Sequence, residues 1–395
     1  MRRLILTAAL VALLAACSKT KDADRPRELV PFTASLRIER AWSASVGGTR
    51  KPLRLGLDVA VEGDRVYSAG RGGDVAAFDL ATGRRLWSRR LKAALAGGPG
   101  ADPQMVVVGS SAGDVFALRA ADGAVLWHVN IAGEILAAAA VTPRLVVVRA
   151  VDGKLHALAA ESGHELWQVQ QPVPSLSLRG TSKPTIVGEV AICGFDNGKV
   201  VAANLSDGSS AWETVITPPH GSNEIERLND VDATPRVEGS DVYVAQFQGK
   251  VAKLALESGQ IWWSHEMSSY RGMAIDGDDI YVATADGEIV AMRGSSGIVL
   301  WKQDALMRRA LTAPAVSGNA IVVGDYQGFV HWLDVKTGAV IGRARAGKHA
   351  ILATPVAAGG LLLVVNDRGD ITAFRPVPLE APRLATPVGQ VKGGR

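Results

Sequence analysis

The stretch Val66–Trp87, VYSAGRGGDVAAFDLATGRRLW, decides the fold because the chain keeps rewriting it. A β-branched run, a Gly-containing turn, a second alternating run, a Thr/Ser/Asp-Gly turn and a Trp recur in that order. Further copies begin at Val106, Leu145, Ala191, Val242, Ile280, Ile321 and Leu362, a period of about 40 residues. The first turn carries Gly73, Gly113, Gly153, Gly198, Gly249, Gly287, Gly328 or Gly369. In seven copies a second glycine follows ten residues later, from Gly83 to Gly338. Runs such as Val66–Ala69 and Val75–Phe78, β-branched or aromatic and bounded by Gly, predict short strands. Glycine suits the turns because hairpin loops place a residue at positive φ, where a Cβ is penalised. Another short strand precedes each copy, often entered through Pro as at Thr312–Val316, and the Trp opens a fourth. Four antiparallel strands per repeat make a propeller blade. One blade cannot cover both its faces, so neighbours stack and a closed ring leaves no exposed end. The Trp then serves as an apolar plug between adjacent blades.

Eight first-turn glycines predict an all-β, eight-bladed β-propeller of four-stranded antiparallel blades. The eighth copy lacks its second turn and its Trp, and Arg37–Trp42 reads as a fourth strand without a blade. The N-terminal strand is therefore expected to join the last blade and close the ring. The seventh copy has Gly342 where the Trp belongs. The expected organisation is a signal segment over 1–17, a flexible tether over 18–36, the propeller over 37–375 and a disordered tail over 376–395. The tether is charged and aperiodic, and the tail is punctuated by Pro376, Pro378, Pro382 and Pro387. A composition of 47% hydrophobic and 21% charged residues suits a fully packed ring.

Arg2 and Arg3 precede an apolar run, Leu4–Leu14, too short to span a bilayer. It ends Leu14-Ala15-Ala16-Cys17, which resembles the bacterial lipoprotein signal. That resemblance implies that Cys17 becomes the lipidated first residue, palmitoylated in the usual way, and Ser18 after it implies sorting to the outer membrane. Removing 1–17 takes away two of the 43 bases and no acid, leaving 41 against 39 acids, which is no nucleic-acid signature. With Cys17 acylated, Cys193 is the sole remaining thiol and no intrachain disulfide can form. Cys193 falls within a strand and reads as a buried small hydrophobe.

The connections between blades are uneven. Trp87 to Pro99 is 12 residues and Trp301 to Pro314 is 13, but Trp167 to Pro184 is 17 and Trp212 to Pro235 is 23. Calling the strands of each blade A to D, the chain reverses at every turn, so D–A connections share a rim with B–C turns. Both long loops therefore sit on one rim, flanking the fourth blade. The first contains Pro172, Val173, Pro174, Leu176, Leu178 and Arg179. The second contains Pro218, Pro219, Glu224, Glu226, Arg227, Asp230 and Asp232. Apolar residues in a loop beside Arg and acids fit a partner-binding patch with an apolar centre and a charged rim. The alternative is that Leu176 and Leu178 fold back to cap the ring.

Catalytic and metal signals are weak. Gly109-Ser110-Ser111-Ala112-Gly113 spells GxSxG but falls on a hairpin, whereas a nucleophile elbow needs a strand-to-helix turn. The seven His, among them His128, His156, His220 and His331, show no HExxH spacing and are expected at surface or blade-edge positions. Asp230-Val231-Asp232 is at most half a cation site. Asn204-Leu205-Ser206 is a glycosylation sequon in spelling only. No catalytic, cofactor-binding or metal-binding residue is assigned.

The DxxTGxxxW pattern of Asp79–Trp87 resembles the repeat of pyrroloquinoline-quinone (PQQ) dehydrogenases. Over residues 1 to about 375 the chain is more similar to the BamB family, lipoprotein propellers of the outer-membrane β-barrel assembly (BAM) machinery. The Leu14–Cys17 signal, the eight repeats, Ser175–Gly180 (SLSLRG) and Arg227–Asp232 (RLNDVD) carry that similarity. It implies a non-enzymatic scaffold on the periplasmic face of the outer membrane, lipid-anchored at Cys17. It further implies that Leu176, Leu178, Arg179, Asp230 and Asp232 contact the periplasmic POTRA region of the barrel insertase BamA. Other BAM lipoproteins would be indirect partners and nascent outer-membrane proteins further ones, with no nucleic acid. The enzyme alternative, a PQQ-dependent quinoprotein, implies a vicinal Cys pair and an acid-bound divalent ion; this chain has no adjacent cysteines. A third alternative is a periplasmic interaction propeller with another partner.

Overall fold

The structure, a computed structural model, describes residues 25–47, 57–178, 180, 182–219 and 221–379. Among them there is no helix, and 32 strands form eight four-stranded antiparallel sheets arranged as a propeller. Blades 1 to 7 are consecutive in sequence: Val59–Arg90, Leu95–Asn130, Ala140–Gln170, Thr185–Val215, Arg236–Glu266, Gly272–Gln303 and Ala315–Arg345. Blade 8 takes strands A to C from Val356–Pro378 and its outer strand from Leu36–Ser45, paired from Leu36↔Pro378 to Ser45↔Asp370. The ring is thus closed by the N-terminal strand. In blades 1 to 7 and again at Trp42 the C–D register slips by one residue just ahead of the Trp or its Gly342 counterpart, a bulge that adds local twist. The Trp is accordingly the third residue of strand D in blade 1, not its first.

The Trp at each joint is more than a plug. Trp127 of blade 2 is buried, and its indole N–H donates to the Ala160 carbonyl in the next blade at 2.7 Å. Trp42, Trp87, Trp167, Trp212, Trp263 and Trp301 make the corresponding bond to Leu80, Ala120, Leu205, Leu256, Gly294 and Val335, at 2.7–2.9 Å. The second-turn glycine of the following blade lies flat on the same indole. Gly123 has φ 71°, and a Cβ there would stand 2.5 Å from the Trp87 ring. That ten-residue glycine spacing therefore reports packing as much as turn geometry: only a residue without a side chain fits beneath the neighbour's Trp. At the first turn the requirement is looser, since in blade 5 Gln248 adopts the left-handed conformation (φ 48°) beside Gly249.

The seventh joint differs for one reason. Blade 8 runs straight through Asp370–Pro378 and has no C–D turn, so a Trp at 342 would have neither carbonyl nor glycine to meet. Leu36 and Ile38 of the closing strand occupy the place instead, with Ile38 Cδ1 3.2 Å from where a Gly342 Cβ would stand. Trp332, fully buried on strand C of blade 7, packs edge-on against Phe374 at 5.8 Å.

Three expectations are corrected. The described part of the 18–36 tether is docked. Arg27 N–H donates to Met307 O at 3.1 Å, Arg27 pairs with Asp304 at 2.9 Å, and Leu29 packs on the blade 6–7 core. Arg309 and Arg343 donate to the carbonyls of Arg27 and Val30. Backbone bonds and arginine donors hold a charged, aperiodic segment that hydropathy reads as free. The propeller also ends later than 375: Pro376 and Pro378 belong to strand C of blade 8 and pair with the closing strand, at a sheet edge where Pro is tolerated. Finally, His156 and His331 are buried, 2% and 0% exposed. Each has a carboxylate, Glu165 at 2.7 Å and Asp325 at 3.1 Å, and Arg343 Nε donates to His331 Nδ1 at 3.2 Å. Such partners let a polar ring replace an apolar one in strand C. Cys193 is buried as expected, its thiol pushed up to about 11 by burial. The signal segment, Cys17, His220 and residues 380–395 lie outside the described residues.

Candidate partner-docking loops on one rim

Backbone bonds join each D–A connection to its own B–C turn, Leu91 N–H to Gly73 O at 2.7 Å and Ile131 to Gly113, Gln171 to Gly153 and Ile216 to Gly198 at 2.9–3.1 Å. Both long loops, 171–184 and 217–235, therefore lie on the B–C rim, on either side of blade 4. They are also tied to each other. The Leu178 N–H donates to Asp230 Oδ2 in a short bond. Gly180 lies so close to Asp232 that a Cβ would stand 2.7 Å from its Oδ2. Ser182 Oγ and Thr185 Oγ1 donate to the carbonyls of Ala233 and Pro235 at 3.3 and 2.8 Å.

The second loop is fastened to blades 4 and 5 beneath it. Val231 N–H donates to Phe195 O at 3.2 Å and Phe247 N–H to Asp230 O at 2.9 Å. The Gln246 amide reaches Asn229 O at 2.6 Å and the Asn229 amide reaches Thr217 O at 2.9 Å. The tip folds on itself: Glu226 accepts from the Ser222 N–H and hydroxyl at 2.7 and 2.9 Å, which holds its carboxyl below the usual range. Three apolar side chains stand outside beside exposed Glu224 and Arg227. Ile225 is 65% exposed, and Leu176 and Val173 are each 42% exposed.

Sequence and structure meet unevenly at the individual residues. Leu176 points outward and does not cap the ring; Leu178 is half-buried. Asp230 is fully buried, so its carboxylate holds the two loops together and is not itself a contact surface, and Asp232 is half-buried. Arg179 lies outside the described residues. Two groups were missed. Asp196, in the B–C turn of blade 4, is buried and pairs with buried Arg149 of blade 3 at 3.3 Å, and that guanidinium stacks 4.4 Å over the Phe195 ring. Arg149 left a trace in the sequence: it stands where the other copies have Ala69, Gly109, Gly194, Ala245, Ala283, Gly324 and Val365.

Among the described residues, Arg149 is the one Arg that acts on Asp196 and Asp232, and Asp230 lies beside Asp196. Burial pushes Asp230 up to about 7; the Leu178 N–H opposes this, and the neighbouring Asp196 adds to it. Asp232 is raised well above the carboxylate range by burial and by Asp230 and Asp196, against Arg149. Asp196 is raised by burial despite Arg149. Asp230 Oδ1 and Asp232 Oδ1 have no hydrogen-bond partner among the described residues. The carboxylates do not converge as metal ligands, and no group of three His, Cys, Asp or Glu does so among the described residues.

A family model described as outer membrane protein assembly factor BamB matches residues 39–99, 71–303 and 294–377. The chain belongs to the BamB family. Relatives named outer membrane protein assembly factor BamB include that of Pseudomonas aeruginosa, 43% identical over 93% of this chain and 97% of that protein. That of Xanthomonas campestris is 37% identical over 95% and 97%, and that of Escherichia coli 34% over 94% and 98%. The crystal structure of BamB from Moraxella catarrhalis superposes with a TM-score of 0.79 at 28% identity, covering 86% of this chain and all of that one. The quinohemoprotein alcohol dehydrogenase of Comamonas testosteroni shares the propeller fold, with a TM-score of 0.69 at 15% identity over 89% of this chain and 79% of its own. At that identity the likeness speaks for the fold alone.

Proposed function

We propose that this BamB-family chain is a non-catalytic docking propeller of outer-membrane protein assembly, lipid-anchored through Cys17 on the periplasmic face of the outer membrane. Its grip is the paired loops 171–184 and 217–235, which take a POTRA domain of a BamA-like barrel insertase. The observation that carries this is the inter-loop tie from Leu178 to Asp230, which makes two insertions one surface. Around that tie Val173, Leu176 and Ile225 offer the apolar centre, and Glu224 and Arg227 the charged rim that orients a partner more than it adds affinity. Arg179, between Leu178 and Gly180 in sequence, is assigned to the same surface.

Capture from detergent-solubilised outer membrane tests the proposal. The tagged chain should bring down a barrel insertase, and Leu176→Asp should abolish capture while the melting temperature stays within a degree or two. Full capture by Leu176→Asp would end the proposal. The relatives' shared name as assembly factors and the lack of adjacent cysteines support a non-catalytic role. Addition of PQQ and Ca²⁺ with an alcohol and a redox dye should give no turnover.

A further inference from the structure

The rim that carries the docking loops is divided by charge. Its arc over blades 7, 8 and 1 presents Arg345, Lys348, Arg368, Arg71, Arg90 and Lys92, all but half-buried Arg71 exposed. The acids there are few and mostly engaged: Asp74 pairs with Arg90 at 2.7 Å, Asp367 faces His349 at 4.0 Å, and Asp370 accepts from Asn366 at 3.0 Å. Across the ring, the 217–235 loop beside blade 4 presents Glu224, Glu226 and Arg227, so that arc lacks the excess of bases. Between the B–C turn and the D–A connection of blade 1 lies a recess of about 450 Å³ lined by Arg71, Arg90 and Lys92. Arg71 Nη1 is buried in that region without a hydrogen-bond partner among the described residues.

The N-terminal segment reaches the same rim beside the same arc. Arg27 is bonded to Met307 and Asp304 in the connection from blade 6 to blade 7. Ten residues separate Cys17 from Arg27, a reach of at most ~35 Å even when fully extended. A lipid on Cys17 would therefore keep the blade 6–7 connection, at one end of this arc, within that distance of the bilayer, and the charge of the arc decides which side of the ring turns to it.

We infer that the basic arc of blades 7, 8 and 1 docks on an anionic phospholipid surface, with the blade 1 recess receiving a phosphate headgroup. The lipid confines the chain to the bilayer, and the basic patch then adds an attraction of about 1 kcal/mol per Lys or Arg that sets which arc lies against it. Docking turns the charged arc to the membrane and leaves the loops around blade 4, across the ring, free for a protein partner. The inference goes beyond the docking function and does not require any insertase to be bound.

The test uses the full chain with Cys17→Ala, so that no lipid is attached, and sedimentation with vesicles. Vesicles of phosphatidylethanolamine and phosphatidylglycerol should bind it, those of phosphatidylcholine should not, and salt should weaken binding. The combined Lys92→Glu, Lys348→Glu, Arg368→Glu variant should lose about a hundredfold in partitioning, while Arg227→Glu on the opposite arc loses nothing. Equal binding to phosphatidylcholine, an unaffected triple variant, an equal loss in Arg227→Glu, or preference for polyglutamate over vesicles would each overturn it. If the triple variant melts early, dye labels at Lys348→Cys and Glu224→Cys decide instead. Cys193 is buried and stays unlabelled. Only the 348 label should shift on vesicle addition; a shift confined to 224, or none at 348, refutes the docking.

Discussion

At the Trp127 joint and at the Leu178–Asp230 tie, an N–H crosses from one part of the ring to a buried oxygen in another. At the joint the acceptor is a neutral carbonyl, and the donor brings a whole indole out of water and lays it on a glycine. Burial and hydrogen bonding act together. At the tie the acceptor is a carboxylate with two more beside it, and among the described residues Arg149 is the one arginine that opposes their charge. Burial there opposes the charge that the hydrogen bond favours. Seven joints repeat the first solution because it adds stability at every repeat. The second occurs once, beside the longest loops, where a shape is held at some cost in stability.

Substitutions can break or sharpen that contrast, and the largest effect belongs to the joints. Trp127→Ala should cost ~3–5 kcal/mol in denaturant unfolding; a cost below ~1 would show that the glycine turn, not the indole, makes the joint. Asp230→Asn should act in the opposite sense and depend on pH. A buried carboxyl raised to about 7 contributes stability that is fully present below its unfolded pKa near 4. That contribution is lost as pH rises through about 7. The Asn variant keeps an acceptor for Leu178 and should gain up to ~4 kcal/mol over the parent at pH 8, falling to nothing near pH 4; a constant difference between those values would refute the cluster's electrostatics. Ile38→Ala, at the one joint without a Trp, should cost ~1–2 kcal/mol, because the side chain is only half-buried. A cost equal to that of Trp127→Ala would mean the closing strand locks as firmly as an indole. Smallest in stability is Leu176→Asp, within ~0.5 kcal/mol by the same denaturation, even though insertase capture should vanish.

The repeat is legible in the sequence because seven of the eight joints need the same pair, a Trp and a glycine ten residues after the first-turn glycine. The loop rim is legible because strand parity is arithmetic. Arg149 was only half-visible: an Arg in place of Ala or Gly marks a departure, but its partner Asp196 lies 47 residues away and no local spacing joins them. Asp230 reads as a surface acid in the string RLNDVD and proves fully buried. Its burial is set by Val231 docking on Phe195 and by Leu178 arriving from the other loop. The 25–35 segment escaped for a related reason: its partners Met307, Arg309 and Arg343 are nearly 300 residues distant.

The sequence by itself determined the blade, the number of blades, the closing strand and the rim on which the long loops stand, because these follow from patterns repeated within about 40 residues. Only the tertiary structure decided which charged groups are buried together and where the N-terminal segment lies on the ring. Desolvation and ion pairing depend on distances in space, and closure of a ring brings together residues that the chain keeps far apart.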